Sequence, residues 1–207
     1  MGTRHLILVY YKGEYHIAQC GQWDGYPEGQ GLVVLNFIRN PVNLAKLQAA
    51  IDNKRLYKPT EEQVEEIRRK NNELEYEMHE REYKRKQRQL ETRYSAPTII
   101  CPTLSRDTGA SILQIVADAT EPVPIQLEVE FIADQLYCEW AYLIDLDARV
   151  LEVYSGNFSG FDQPQVQKST HGRFPDWNVP DLVAKFTFDK MPEPHDKPVT
   201  EPVSVDA

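Results

Sequence analysis

One stretch gathers most of the side chains able to do chemistry: Cys20-Gly21-Gln22-Trp23-Asp24-Gly25-Tyr26-Pro27-Glu28-Gly29-Gln30-Gly31. Glycine and proline at this density make a shaped loop rather than a strand or helix. Within it Trp23 and Tyr26 could stack on a planar ligand while Gln22 and Gln30 read its polar edge. The competing use is that the aromatics plug the end of a core and the amides satisfy loop backbone. Asp24 and Glu28 could form a paired-carboxylate acid/base site, although carboxylates in a glycine-rich turn more often accept backbone hydrogen bonds. Gly25-x-x-x-Gly29-x-Gly31 before a helix could offer amides to an anion. It lacks the Gly-Lys-Ser/Thr ending of a phosphate loop, and Asp24 and Glu28 would repel phosphate. The stretch therefore reads as a binding loop for a small polar ligand or peptide.

Other reactive residues are scattered. Cys20 closes a strand just before the loop, where a nucleophile could sit, but a small buried cysteine is the ordinary reading. Cys20, Cys101 and Cys138 are odd in number and contain no Cys-x-x-Cys pair, and His5, His16 and His171 show no ligand spacing. Neither a disulfide framework nor a metal site nor a cofactor follows from them, and a reducing compartment does. A formal net charge of -9 argues against general nucleic-acid or membrane binding. No apolar run reaches the ~20 residues of a membrane span, so a cytoplasmic or nuclear protein is expected.

The elements that must position the loop are legible on either side of it. His5 to Tyr11 and Tyr15 to Cys20 read as strands joined by a short turn at Lys12-Gly13-Glu14. The first is apolar on both faces, so it should lie inside a layered structure. Leu32, Leu35 and Ile38 fall at helical spacing, and Asn40-Pro41 ends that helix and starts another reaching about Asp52. Thr60-Glu61-Glu62-Gln63 offers a capping box to a helix running to about Tyr94. Val64, Ile67, Asn71, Leu74 and Met78 give it an a/d seam. That insertion is either a solvated helix or a coiled arm that docks a protein partner or a second copy.

In the second half, Thr98 to Cys101 reads as extended. Ser105 to Gly109 is a polar loop before a helix at Ala110 to Ala117. Tyr137 to Ile144 and Val150 to Tyr154 form a second hairpin, Gln126 to Phe131 alternates like a half-exposed strand, and Leu182 to Phe188 reads as the last strand. Ser155 to Pro180 is mostly loop. The organisation is one α+β domain over residues 1–190 with a helical insertion at about 60–94, then a proline-rich acidic tail, 191–207, with little to bury and hence disordered.

Two resemblances add to this. Met1-Gly2-Thr3-Arg4-His5-Leu6 together with Gly21 to Gly31 resembles a family of uncharacterised proteins sharing that signature, and it implies no activity. Gly2-Thr3 followed at once by an apolar strand, a tight turn, a second strand and a polar glycine loop is similar to the start of N-terminal-nucleophile hydrolases of the proteasome type. That resemblance implies a layered sandwich of two mainly antiparallel sheets between helices. It also implies removal of Gly2 and an amide hydrolase whose nucleophile is Thr3, its own amine serving as base. The carboxylate of such enzymes falls here at Gln19, and their lysine has no counterpart in the Leu32 to Phe37 region.

Overall fold

The computed structural model describes residues 2–87, 101–134, 136–156, 173–174 and 177–192. The expected Thr98 to Ile100 segment, the end of the insertion beyond Gln87, most of the Ser155 to Pro180 loop and the tail from residue 193 lie outside them.

A mixed five-stranded sheet organises the fold. Strands β1 (His5–Tyr11), β2 (Glu14–Gly21), β5 (Trp140–Asp145), β6 (Val150–Ser155) and β7 (Asp181–Thr187) take the order β2-β1-β5-β6-β7. Every pairing is antiparallel except β1 with β5, which run parallel. The parallel pair joins the two halves of the chain, since everything between Tyr11 and Trp140 is one excursion between neighbouring strands. Leu6, Ile7, Leu8 and Val9 are all fully buried, as expected of a strand covered on both faces. β2, by contrast, lies at the sheet edge.

Among the described residues four helices accompany the sheet: α1 (Leu32–Arg39), α2 (Pro41–Asp52), α3 (Glu61–Gln87) and α4 (Ile112–Asp118). A small parallel pair, β3 (Leu56–Tyr57) with β4 (Val123–Pro124), ties the end of α2 to the stretch after α4. Side-chain alternation divides the core in two. Ile7, Val9, Tyr142, Ile144, Leu151 and Val153 point to one face and pack with residues of α1, α2 and α4. Leu6, Leu8, Ala141, Leu143 and Tyr154 point to the other, where Ile132, Cys138 and Phe174 cover them.

This is an α+β architecture, but it departs from the expected two-sheet sandwich. Such a sandwich needs a second large sheet facing the first. Among the described residues the sheet faces helices on one side and a 3-10 turn, Val129–Ala133, with Phe174, Trp177 and Val179 on the other.

Local expectations hold at several termini. Asn40 Oδ1 accepts from Val42 N at 3.0 Å, opening α2 with Pro41 in its first turn. Thr60 and Gln63 form the capping box in both directions, at 2.9 and 3.2 Å. Lys12 and Gly13 adopt positive φ in the first hairpin turn, and the Asp147 carboxylate receives both of their amides.

α3 spans ~40 Å and carries ion pairs one turn apart, Glu66 with Lys70, Arg69 with Glu73, Glu77 with Arg81 and Glu80 with Lys84. Its seam residues Val64, Ile67, Asn71, Leu74 and Met78 are half-buried. No second helix of a coiled coil stands beside it among the described residues.

Gln126 to Phe131 is not a strand. Leu127 makes one bridge to Ala18 on the open edge of β2, with Glu128 N donating to Ala18 O at 3.0 Å. The chain then tightens into the 3-10 turn, which carries Ile132 beneath the sheet. Burial of Val129, Phe131 and Ile132 on one side decides against the alternation.

Candidate functional site

β2 ends at Gly21, and the chain then crosses the end of β1. Asp24 turns it with φ 53°, a left-handed conformation that aspartate tolerates better than most residues. Pro27–Gly31 makes one π-helical turn that feeds directly into α1. Backbone bonds fix this path: Gly25 N donates to Thr3 O at 3.0 Å, Gln30 N to Asp24 O at 2.8 Å and Gly29 N to Tyr26 O at 3.0 Å. From below, Tyr142 OH donates to Gly25 O at 2.8 Å. With these amides engaged inside the loop, the anion cradle read from the glycine spacing is not what the glycines serve.

They serve close approach instead. A Cβ on Gly21 would lie 2.2 Å from the His5 ring, and one on Gly25 would lie 2.7 Å from Thr3 O and 2.8 Å from His5 Cβ. His5 pairs directly across from Gly21 and lies under the loop with no exposed surface. Neither ring nitrogen completes a hydrogen bond of ordinary geometry. Burial drives the imidazole pKa down to about 4, and the nearby Thr3 carbonyl and Asp24 carboxylate only partly oppose it. The ring is neutral at pH 7.

The Ser105 to Gly109 loop joins the same site. Gln22 Nε2 and Trp23 Nε1 both donate to Asp107 Oδ1, at 2.5 and 2.8 Å, and Gln22 N donates to Arg106 O at 3.2 Å. Gln30 Oε1 accepts from Ala110 N at 2.7 Å, where α4 is approached. The two amides therefore tie the glycine loop to the second loop, Gln22 through the Asp107 carboxylate and Gln30 through the Ala110 backbone amide. The aromatics do not plug the core: Trp23 is 53% exposed and Tyr26 41%. Tyr26 OH reaches Asp24 Oδ1 at 3.3 Å, and the Asp24 charge raises the phenol pKa. Glu28 is exposed beside them. Asp107 is the residue that sequence reading did not single out, since its partners lie more than 80 positions away.

The amino-terminal segment is pinned at several points. Gly2 packs against Trp23, leaving no room for a Cβ, Thr3 engages through its carbonyl, and Arg4 N donates to Glu139 Oε1 at 3.1 Å while its guanidinium sits over the Tyr137 ring. Gln19, where a carboxylate would be expected for threonine activation, is buried and donates to Ser105 O and Cys20 O.

Cys20 is buried as well. Burial and the neighbouring Glu128 carboxylate raise its thiol pKa strongly, and burial pushes Cys138 up to about 12. Both are protonated at neutral pH. Cys101 alone is partly exposed, so a maleimide at pH 7 labels Cys101 first, as peptide mapping after a short pulse will show. Preferential labelling of Cys20 would restore it as a nucleophile. Among the described residues no three His, Cys, Asp or Glu side chains gather to hold a metal. No described helix is long and apolar enough to cross a membrane.

The opposite face of the sheet holds a second polar group. Arg173 forks between Asp145 Oδ2 at 2.6 Å and Glu152 Oε1 at 2.8 Å. Glu152, with no exposed surface, also receives Lys185 Nζ at 3.0 Å and Tyr154 OH at 2.7 Å. The sequence signal was there: Asp145 and Glu152 share a face of two otherwise apolar strands, and buried acids require cationic partners. Comparison of the chain with protein families, with curated proteins and with solved structures finds no match.

Proposed function

We propose that the chain is a binding protein whose glycine loop captures a cationic ligand or basic peptide on Trp23 and Tyr26. The observation that carries this reading is the contrast within one loop. Its backbone and amide side chains are held by the hydrogen bonds described above, while its two largest aromatic rings stand out into solvent. Exposed tryptophan and tyrosine on a rigid support are the usual anchors of recognition, because little conformational freedom is lost on binding.

The surroundings set the sign of the ligand. Asp24 and Glu28 lie beside Tyr26 and Asp107 orients the indole, while Arg106, the one cation of the two loops, pairs with Glu128. A guanidinium or ammonium stacked on the aromatics gains both the ring faces and the carboxylates. Amide hydrolysis by Thr3 draws no comparable support, with Gly2 packed under Trp23 and Gln19 in place of a carboxylate.

Selection of a random peptide library on the full chain tests the proposal. Peptides rich in Arg, Lys and aromatic residues are expected to enrich, and Trp23→Ala or Tyr26→Ala is expected to weaken each selected peptide by about 2 kcal/mol, roughly thirtyfold in Kd. Acidic selected peptides, or peptides that bind both variants as tightly as the native chain, would sink it.

A further inference from the structure

The turn that presents Asp107 to the glycine loop presents Arg106 to a different place. Behind the open edge of β2, Gln19, Leu104, Arg106, Gln126 and Glu128 of the body and Arg68 of α3 line a polar cleft of about 400 Å³. Two guanidiniums against one carboxylate make this cleft locally positive in a chain whose formal net charge is -9. Its volume lies in the range that small-molecule sites occupy.

The two arginines are unevenly employed. Arg106 meets Glu128 Oε1 at 3.5 Å, a long contact for an ion pair, and its side chain is 65% exposed. Arg68 makes no ion pair among the described residues. Its flanking neighbours do, Arg69 with Glu73 and Lys70 with Glu66. One turn either side of Arg68 stand Val64, Glu65, Asn71 and Asn72; Glu65 is the one carboxylate among these four, and among the described residues no ion pair joins it to Arg68. Each guanidinium carries five donors in a planar fork suited to an oxyanion.

The remaining walls are polar but occupied differently. Gln19 is buried, and its amide is fixed to Ser105 O and Cys20 O at 2.8 and 3.2 Å, which holds the floor of the cleft rigid. Cys20 lies beneath, protonated beside Glu128, so the cleft offers reversible binding and no covalent step.

We infer that this cleft binds a small molecule through a carboxylate or phosphate group held between Arg68 and Arg106, with Gln126 and Leu104 against the rest of the ligand. The site is separate from the aromatic loop and does not depend on a ligand binding there.

Isothermal titration of the full chain with inorganic phosphate and with succinate, at ionic strength held constant so that general screening does not change, tests this. Saturable binding of at least one anion is expected, weakened about tenfold or more by Arg68→Gln and by Arg106→Gln and unaltered by Arg69→Gln. Phosphate binding alone would identify a phosphorylated ligand, and succinate binding alone a carboxylic acid. Absence of saturation with both anions overturns the inference, as does an equal loss in Arg69→Gln, which would reduce the effect to general charge. Because Arg68 stands on an exposed helix face, its variant keeps the test readable even if Arg106→Gln disturbs the turn.

Discussion

Arg173→Met is expected to lower the unfolding free energy by about 3 kcal/mol or more, the range for a buried ion pair that loses one partner. The reason lies in what remains. Among the described residues Asp145 keeps the Ala148 amide at 2.7 Å, and Glu152, without exposed surface, keeps Lys185 and Tyr154 but loses the guanidinium. The loss should also depend on pH. Burial alone would raise the Glu152 pKa; the hydrogen bonds from Tyr154 and Lys185 and the Arg173 charge overcome it and hold the carboxyl below its usual range. A carboxyl depressed in the folded state contributes stability above its unfolded pKa and loses it as pH falls through the folded value. The Arg173→Met penalty, read from urea midpoints, should therefore be full at pH 7 and shrink in acid. Adding Glu152→Gln to Arg173→Met should recover part of it by removing a buried carboxylate that has lost one of its cations. A penalty under about 1 kcal/mol, the scale of a surface pair, and indifferent to pH would show that the network is solvated.

This network illustrates which parts of the molecule the sequence carries openly. Periodicity located β1, β2, β5, β6 and β7 because each is a local apolar run bounded by turn residues, and Asn40-Pro41 and Thr60 marked helix starts through caps that need only three or four neighbouring residues. The glycine loop was legible as a loop for the same reason. Its wiring was not. The bonds from Gln22 and Trp23 to Asp107, like those from Arg173 to Asp145 and Glu152, join residues distant in the chain, and nothing in local composition selects one partner among many. The same limit explains the sandwich expectation. A strand buried on both faces fits any layered architecture, and only the β1–β5 register and the helices above it decide which one this chain adopts.

The glycines show where local reading assigned the right residue type a different purpose. Gly21 and Gly25 are small because the His5 ring occupies the space a side chain would fill, and from that follows the second large effect. Gly21→Ala places a methyl 2.2 Å from the ring in a strand register that cannot shift by itself, so the variant should lose about 2–3 kcal/mol, the range of overpacking in a tight core. His5→Ala in the same chain vacates that space, and the double variant should be less destabilised than the two single losses added together. Strict additivity would show that the ring and Gly21 are not in contact. The ring also writes a signature in pH. Its folded pKa is lowered to about 4 from 6.5, so above pH 6.5 both states are neutral and His5 makes no pH-dependent contribution. As pH falls from 6.5 to 4 the unfolded chain takes up the proton first, and stability declines by about 3 kcal/mol in total. Below 4 both states are protonated and this contribution levels off. Carboxylates titrate in part of the same window, so the informative quantity is the native curve minus that of His5→Leu. That difference should slope between pH 6.5 and 4. A flat difference would mean that the ring reaches water or a proton partner in the folded state. The loop carrying Trp23 and Tyr26 would then stand on a polar support rather than a dry one.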